Sequence, residues 1–526
     1  MSGDHACAGD EWCSGWGRWQ ARLALLLALP VLLTGAYGTN YVFLAAPARY
    51  RCAVPECEGN DTSLGAWSAR PEPWGQFALP EDQCRRVEPL DGSCHPDGFG
   101  NSTLPCDRFV YEQSGSIVVE FGLACQEWKR SLVGTVHNVG MFISLPIMGF
   151  ISDRWGRRAA LVVSGCGAGV LGLLKSFVMS YPAYLVGELL ETILGASVYP
   201  AAFVLMIEWL GVQHRILASL VLGIPLALGS ASLSLLDYLT GHWRQWARWA
   251  YPPSFLLLLY PWLLPESVRW LVTRGRLDEA VATIRQAADW NKVEVPEETF
   301  KKVLADNHDE MDDSQREAEE SLLKALMRYS ALRVRLCVCV VWWVSAVFVY
   351  YGLAVNAHAL SGSTHVNFAL LALAQLPALV ANTLLLDRAG RRPLLTAAFL
   401  LTAAALIAMS CLPRERWMWS TALYLCGQLG ATMSLNALYV YTAELFPTRA
   451  RHTLLAICST CGRVGAILAP MTPLLAKYKP WIPPLLFGAL PLASAALTRA
   501  VPDTLRRRLP DTFADLESTA RIRELA

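Results

Sequence analysis

The sequence predicts an all-α membrane protein with twelve transmembrane helices arranged as two six-helix bundles. Of its 526 residues, 54% are hydrophobic and only 17% are charged. This composition is typical of membrane proteins rather than of a chain of soluble domains. Twelve apolar runs give the helix count, and a duplicated set of polar motifs divides them into two halves. The lipid bilayer is therefore the expected surrounding of most of the chain.

Three polar motifs occur twice in the same order, which indicates that the two halves are repeats. The pattern Asp-Arg-x-Gly-Arg-Arg begins at Asp153 and again at Asp387, each time between two apolar runs. Glu208 and Glu444 each end a later run, and Pro265-Glu266-Ser267 corresponds to Pro502-Asp503-Thr504. The copies lie 234, 236 and 237 residues apart (387 minus 153, 444 minus 208 and 502 minus 265). Parallel repeats of this size are a known construction of membrane transporters.

The first apolar run, at about 23–46, is interpreted as an uncleaved transmembrane helix that follows a cytoplasmic amino terminus at 1–22. A signal peptide has a shorter apolar core of roughly 7–15 residues, whereas roughly 20 residues span a bilayer. The other runs are at about 132–151, 159–179, 183–207, 216–237, 249–264, 334–356, 366–386, 394–412, 418–442, 453–476 and 481–500. The expected domains are an amino-terminal bundle at 23–264, a cytoplasmic linker at 265–332, a carboxy-terminal bundle at 333–500 and a cytoplasmic tail at 501–526.

A polar segment at 48–131, here called the cysteine loop, separates the first two predicted helices. Its six cysteines are Cys52, Cys57, Cys84, Cys94, Cys106 and Cys125, and its two glycosylation sequons begin at Asn60 and Asn101. An even number of cysteines in a loop with little apolar sequence indicates three disulfides, and sequons are used on the lumenal side. The pairing among 15 combinations stays open. An extracellular loop puts both termini in the cytoplasm; free thiols in a cytosolic loop are the alternative.

The linker between the halves carries helical apolar spacing at Leu277, Ala280, Ile284 and Ala287. Such spacing predicts amphipathic helices that lie against the cytoplasmic face. A solvated linker explains the segment, and a regulatory partner site is the alternative. No P-loop and no His-Glu-x-x-His zinc motif is present in the sequence, so neither an enzyme nor a bound cofactor or metal is expected. The basic residues form short clusters between apolar runs, which disfavours nucleic acid as a partner.

Together these motifs resemble the major facilitator superfamily. The signature is Gly-x-x-x-Asp-Arg-x-Gly-Arg-Arg between the second and third helices, with a copy between the eighth and ninth. The cysteine loop, Pro265-Glu266-Ser267-Val268-Arg269-Trp270-Leu271 and Tyr441-Thr442-Ala443-Glu444-Leu445-Phe446-Pro447-Thr448-Arg449 are more narrowly similar to the organic ion transporters, which carry cations, anions and carnitine. The resemblance implies the major facilitator fold, with two bundles around a central cavity that opens to alternate sides.

The resemblance also implies a role for the repeated loops, which in that family brace the cytoplasmic face. Aspartates in the motif can pair with arginines or a helix amino terminus, and Gly156 and Gly390 allow the tight turn. The residues expected to act in gating are Asp153, Arg157, Glu208, Arg215, Asp387, Arg391, Glu444 and Arg449. The alternative is an anchor of positive charge on the cytoplasmic side, which explains the arginines but not the aspartates.

Candidate substrate residues are the polar and aromatic side chains inside the apolar runs. Tyr350 and Tyr351, with Trp342 nearby, resemble an aromatic segment that lines the family's substrate path. Aromatic faces can hold a cation or stack on an apolar ring. Glu188 and Glu191 lie in the fourth run, where the family usually has an arginine at the first of these positions. Charges at bilayer depth are functional candidates, and a buried structural pair is the alternative.

Arg463 is the most specific candidate, because it lies near the middle of the eleventh run among small and polar neighbours. An arginine at that depth cannot easily reach either membrane surface. Anion and carnitine carriers of the resembled family tend to have arginine at the matching position. The hypothesis is that Arg463 attracts the anionic group of a substrate, and the alternative is a structural pair with a buried acid such as Glu188. Leu379 stands where anion carriers often have lysine, which weakens the anion assignment.

The sequence therefore predicts a secondary transporter of small organic ions in the plasma membrane, with an organic anion or zwitterion slightly favoured. An organic cation carrier is the first alternative. A receptor or adhesion protein that uses its cysteine loop without transporting anything is the alternative from another class. A coupling ion is compatible with the motifs but not indicated by any of them.

Overall fold

A computed structural model describes residues 16–58, 74–112, 115–210, 214–294, 324, 326–413, 416–447 and 450–505, without the side chains of 215, 216 and 452. Within these residues, ten helical segments are long and apolar enough to cross a membrane. They are α1 (Arg18–Leu44), α2 (Glu127–Trp155), α3 (Arg157–Lys175), α4 (Tyr181–Glu208), α5 (Leu217–Thr240), α7 (Ser330–Ala359), α8 (Thr364–Ala389), α9 (Arg391–Cys411), α11 (Thr453–Ala476) and α12 (Ile482–Ala500).

Two further segments complete the predicted set of twelve. The longer is α10, a continuous helix at Trp417–Leu445. The other, α6, consists of Trp243–Ala250, a 3₁₀ stretch at Pro252–Leu259 and Tyr260–Leu263. Prolines at 252, 253 and 261 supply no backbone N–H and disfavour the helical conformation of the residue before them, which accounts for the interruptions. The prediction of twelve helices is confirmed, although the sixth is not one regular α-helix.

The cysteine loop forms two small antiparallel sheets. Strand β1 (Tyr50–Cys52) pairs with β4 (Phe109–Tyr111), and β2 (Arg85–Pro89) pairs with β3 (Phe99–Pro105). Three disulfides join Cys52 to Cys106, Cys57 to Cys94 and Cys84 to Cys125. The prediction that the six cysteines pair is confirmed, and the connectivity is one that the sequence left open. Asn101 is exposed on β3, whereas Asn60 lies outside the described residues.

Removal of the Cys84–Cys125 disulfide, by changing both residues to serine, is expected to cost about 2–5 kcal/mol and to reduce the amount of protein at the cell surface. This bond joins the residue just before β2 to the chain just before α2. Cys337→Ser is the matched control, because Cys337 is exposed and unpaired. Peptide mapping without reductant measures the pairing, and thiol alkylation of all six cysteines in the unreduced protein would contradict it.

One amphipathic helix of the linker is described, at Leu277–Asn291. Its Ala280, Ile284 and Ala287 are buried, as their spacing predicts. Asn291 accepts a hydrogen bond from the backbone N–H of Trp19 at 2.9 Å, so the helix lies against the start of α1. Residues 295–323 of the linker lie outside the described part of the chain.

The two halves contact each other near the end of the bundle that carries the cysteine loop, here called the disulfide end. Phe43 of α1 packs edge-on against Phe368 of α8, with ring centroids 5.0 Å apart. Asp237 of α5 pairs with His365 of α8 at 3.0 Å. The opposite end, here called the arginine end, carries the two Asp-Arg-x-Gly-Arg-Arg loops. The structure is thus closed across the disulfide end.

Candidate functional site

Arg463 lies near the middle of α11, where glycines bring this helix close to α7. A Cβ atom on Gly465 would lie 2.5 Å from the backbone oxygen of Val344, so a larger residue would push the helices apart. At this approach the Arg463 guanidinium donates to the Tyr351 hydroxyl of α7 at 3.4 Å. Both side chains are half-buried. The sequence singled out both residues as substrate candidates, and the structure brings them into contact.

Two tyrosines lie next to this arginine, and a third tyrosine, from the first half, lies near one of them. Tyr439, six residues before the end of α10, is 47% exposed, and its ring meets Trp343 edge-on at 4.6 Å. Tyr439 is within electrostatic range of Arg463 on one side and of Tyr199 on the other. Tyr199 belongs to α4, so the aromatic lining comes from the first half as well as the second. A cavity wall of this kind can stack on the apolar body of a ligand.

Tyr350 and Trp342 lie on different sides of α7. The Tyr350 hydroxyl donates to the amide oxygen of Gln375 at 3.0 Å, next to the Tyr351 ring. Trp342 is fully buried, stacks on Tyr441, and its indole N–H donates to a backbone oxygen of α12. In this conformation Trp342 therefore packs inside the second bundle, whereas Tyr350 is half-buried beside Tyr351. Their predicted roles in substrate binding remain predictions.

Sequence reasoning missed Tyr439, Tyr199 and Gln375. Tyr199 and Phe203 are one helical turn apart and stack at 6.1 Å, a spacing visible in the sequence. Tyr439 gave a weaker signal, because it lies two residues from Tyr441, which the structure buries. Only the helix phase distinguishes the two tyrosines.

Arg463 has no carboxylate within 4 Å among the described residues. Glu188, the acid proposed as its structural partner, lies instead in a buried cluster within the first half. There Glu188 Oε2 accepts from the Lys175 ammonium at 2.6 Å, and Glu188 Oε1 lies 2.7 Å from His137 Nδ1. Glu191 also pairs with Lys175. The buried-pair alternative fits the geometry of both glutamates, and a role for them in binding substrate stays a prediction.

A cluster of charges braces the arginine end of the first half. Arg157 pairs with Glu208 of α4 at 3.2 Å and with Asp153 at 3.1 Å. The Glu208 side chain is 9% exposed and the Asp153 side chain 74% exposed, so the two acids are in different surroundings. The side chain of Arg215 is outside the described part of the chain.

The second half repeats this arrangement. Arg391 pairs with Glu444 of α10 at 3.0 Å and with Asp387 at 3.0 Å. The Asp387 side chain is exposed and the Glu444 side chain is largely buried, as in the first half. Arg449 lies outside the described residues. The repeat predicted from sequence offsets is therefore also a repeat of contacts.

The third repeated motif supplies an acidic cap to a helix in each half. Glu266 Oε1 accepts from the backbone N–H of Arg157 at 3.0 Å, at the start of α3. Asp503 Oδ1 accepts from the backbone N–H of Arg391 at 3.1 Å, at the start of α9. A carboxylate at a helix amino terminus satisfies free N–H groups and complements the helix dipole. Burial raises the pKa of Glu266, although these backbone N–H groups act in the opposite direction.

The repeated bundles and their charge clusters agree with comparisons to known proteins. The profile of the Major Facilitator Superfamily matches residues 120–470 and 332–515. The chain is also 30% identical to mouse solute carrier family 22 member 6, over 96% of this chain and 93% of that one. The protein belongs to solute carrier family 22. Family 22 is a branch of the major facilitator superfamily of membrane transporters, so the chain is a transporter and not an enzyme.

Other relatives in family 22 are named for different substrates. The organic cation transporter protein of Drosophila melanogaster is 30% identical, over 95% of this chain and 92% of that one. The rat organic cation/carnitine transporter 2 is 31% identical, over 95% of this chain and 91% of that one. Family membership therefore leaves the charge of the substrate undecided.

Solved structures agree with the family 22 fold. The proton:xylose symporter XylE bound to 6-bromo-6-deoxy-D-glucose matches with a TM-score of 0.62 at 15% identity, covering 95% of this chain and 99% of that one. An inward open structure of XylE from E. coli matches equally, with a TM-score of 0.62 at 14% identity, over 95% of this chain and 99% of that one. These likenesses confirm the major facilitator fold that the sequence predicted.

The different surroundings of Glu208 and Asp153 give a prediction for this family 22 transporter. Glu208→Gln is expected to destabilise the first half by about 1–3 kcal/mol, because it weakens a largely buried charge-assisted contact to Arg157. Asp153→Asn is expected to leave the surface amount intact and to lower flux, because an exposed ion pair adds little stability but can differ between conformations. Surface biotinylation and uptake, measured in parallel, separate the effects. Equal loss of surface protein in both variants would contradict the distinction.

Proposed function

We propose that the protein is a secondary transporter of small organic ions by alternating access, with a preference for organic anions or zwitterions. The observation that supports this charge preference is Arg463, which lies mid-membrane without a carboxylate partner among the described residues. A guanidinium binds carboxylates through two parallel N–H groups and keeps its charge at all physiological pH values. An anionic substrate group would supply the counter-charge that Arg463 does not find among the described residues.

The aromatic side chains around Arg463 support an organic rather than an inorganic substrate. Tyr351 and Tyr439 lie next to it on two helices, and Tyr199 lies near Tyr439 on a third. Their rings can hold an apolar or aromatic body by stacking while the guanidinium holds the charged group. The same rings could hold a cation. A cation would, however, lie next to the positive charge of Arg463, which opposes its binding.

Alternating access is supported by where the halves meet. Their described contacts include Phe43 with Phe368 and Asp237 with His365, all near the disulfide end. The charge clusters at the arginine end join helices of the same half. Rocking of the halves would open the first set of contacts without breaking the charge clusters. The disulfides of the cysteine loop support an extracellular location for it, hence a plasma membrane protein with cytoplasmic termini.

Uptake of labelled compounds tests the proposal. Cells with and without the protein are supplied with an aromatic monocarboxylate, a carnitine-like zwitterion and a quaternary ammonium of similar size. Sodium and membrane potential are varied independently. Saturable uptake of the carboxylate or the zwitterion is expected. Uptake of the ammonium alone would instead establish the organic cation carrier, and surface binding without flux would favour the receptor alternative.

A further inference from the structure

Four ionisable side chains form a closed cluster inside the first half, at a different place from Arg463. They are His137 of α2, Lys175 of α3, and Glu188 and Glu191 of α4. All four are nearly inaccessible to solvent, with exposures of 2%, 1%, 0% and 2%. Lys175 binds both carboxylates, and His137 Nδ1 lies 2.7 Å from Glu188. Because the four side chains are buried and in contact with one another, they form an ion network inside the bundle and not a group of surface charges.

The charges of this cluster balance only when it holds an extra proton. Lys175 contributes one positive charge and the two glutamates contribute two negative charges when ionised. With a neutral imidazole the cluster carries one excess negative charge in a dry region of the membrane span, which is strongly unfavourable. A proton on His137 or on one carboxylate makes the cluster neutral. The side chains present can therefore bind and release one proton.

Among the described residues, the groups that face the cluster from neighbouring helices are mostly tyrosines, which do not supply a positive charge. Tyr184 of α4 and Tyr251 of α6 flank the Lys175 ammonium, which lies 5.6 and 5.7 Å from their ring centroids. Tyr37 of α1 packs against Tyr251, and Tyr41 packs against His137. From the second half, α11 presents the apolar Pro470 to α2 at Gly134.

The buried hydroxyl of Tyr184 lies beside the cluster and can respond to its protonation. The Tyr184 side chain is completely buried and its hydroxyl interacts with Glu188, although the contact falls outside strict hydrogen-bond geometry. A buried hydroxyl without a full hydrogen bond is unfavourable. When the cluster gains or loses a proton, this hydroxyl can rotate to donate to the carboxylate that becomes charged.

The cluster is connected to the moving parts of the protein through one ring. Tyr41 packs on His137 with centroids 4.8 Å apart, and it lies where α2 meets Pro470 of the second half. On its other side Tyr41 is within electrostatic range of Tyr350 and Tyr351. Tyr351 in turn contacts Arg463. Tyr41 thus connects His137 to the contact between the two halves, and Tyr41 and Tyr351 together connect it to Arg463.

We propose that His137, Lys175, Glu188 and Glu191 form a proton-binding site whose occupancy couples proton movement to organic anion transport. When the disulfide end opens, Pro470 separates from Tyr41 and Gly134, and water reaches His137. Binding of a proton neutralises the cluster, which then tolerates the dry surroundings of the closed state. The coupling rests on the proposed function, whereas proton binding itself does not.

Proteoliposomes with the membrane potential clamped at zero test the coupling. A proton gradient across the liposome should drive the labelled anion to a plateau concentration ratio of up to about tenfold per pH unit for one proton per anion. Glu191→Gln removes one ionisable carboxylate and leaves Lys175 and Glu188 balanced, so the plateau should fall to equal concentrations inside and outside. Glu127→Gln is the matched control, because Glu127 lies on α2 and pairs with Arg130 outside the cluster. It should retain the wild-type plateau.

Proton binding is measured separately, so that the two proposals can fail separately. Purified protein is acidified in weakly buffered detergent, and the dye pyranine reports the solution pH, from which the number of bound protons is obtained. For the same addition of acid, the wild-type protein should bind one proton more than Glu191→Gln. Glu188→Gln, which also leaves Lys175 balanced by a single carboxylate, replaces Glu191→Gln if the latter cannot be purified. If the wild-type protein binds the extra proton but does not transport the anion, the proposed substrate is wrong and the proton-binding site stands. A wild-type plateau or unchanged proton binding in the variants would reduce the cluster to a structural ion network.

Discussion

Uptake of organic anions falls by roughly a hundredfold in Arg463→Asp, the larger of the two main effects expected here. Loss of a charge partner in a partly dry site costs about 3 kcal/mol or more, which corresponds to that factor. The introduced carboxylate also repels the anion directly. Arg463→Lys should show a smaller loss, because it keeps the charge but not the planar pair of N–H groups. Initial uptake rates over a range of anion concentrations, normalised to surface protein, measure both effects.

The control for this charge reversal is Arg49→Asp, since Arg49 lies in the cysteine loop with a side chain 77% exposed. It should leave uptake close to wild type. If Arg463→Ala is well expressed and retains normal anion affinity, Arg463 does not bind the substrate. A gain of cation uptake in Arg463→Asp would show that the same cavity accepts either charge, with residue 463 selecting between them.

Gly156→Ala is expected to lower the amount of folded transporter severely, although it adds a single methyl group. Gly156 has φ of +103° and ψ of 161°, a conformation that is essentially limited to glycine. A Cβ atom there would lie 2.2 Å from Glu266 Oε2, so the carboxylate that caps α3 would have to move. Backbone strain alone costs about 1–3 kcal/mol, and loss of the cap adds about 0.5–2 kcal/mol.

Gly149→Ala provides the matched control, because Gly149 lies seven residues earlier in the same motif and a Cβ atom there would meet no other atom within 4 Å. Fluorescence-detected size-exclusion chromatography and thermal melting of both variants measure the difference. Gly390→Ala should behave like Gly156→Ala, since its φ is +97° and its Cβ would lie 2.5 Å from Asp503 Oδ2. Equal melting temperatures for Gly149→Ala and Gly156→Ala would show that the cap is dispensable.

Much of the fold could be predicted, because its signals are local or are repeated along the chain. Apolar runs fix the membrane helices, and the spacing of Ala280, Ile284 and Ala287 fixes the buried side of the linker helix. The offset between Asp153 and Asp387 predicted a structural repeat that extends to individual ion pairs. The irregular α6 was not anticipated, since its prolines were not weighed against its apolar composition.

The site was predicted less completely, because its members come from helices far apart in sequence. Arg463 was found because its charge stands alone in an apolar run. Lys175 was not singled out, because it ends its run and resembles an interfacial residue, whereas the structure buries it between Glu188 and Glu191. Trp342 and Trp343 are adjacent, and only the rotation of α7 decides that Trp343 meets Tyr439. Such choices depend on the packing of neighbouring helices and not on local sequence.

The disulfide-linked cysteine loop has a mechanical consequence. The chain enters it from α1 and leaves it into α2, so both of its attachments are to the first half. Three covalent crosslinks make it a stiff body that must follow every rotation of that half. An antibody fragment that bridged the loop to the α7–α8 connection would lock the transporter in one conformation. A fragment bound to the loop alone would travel with it and leave the turnover rate unchanged.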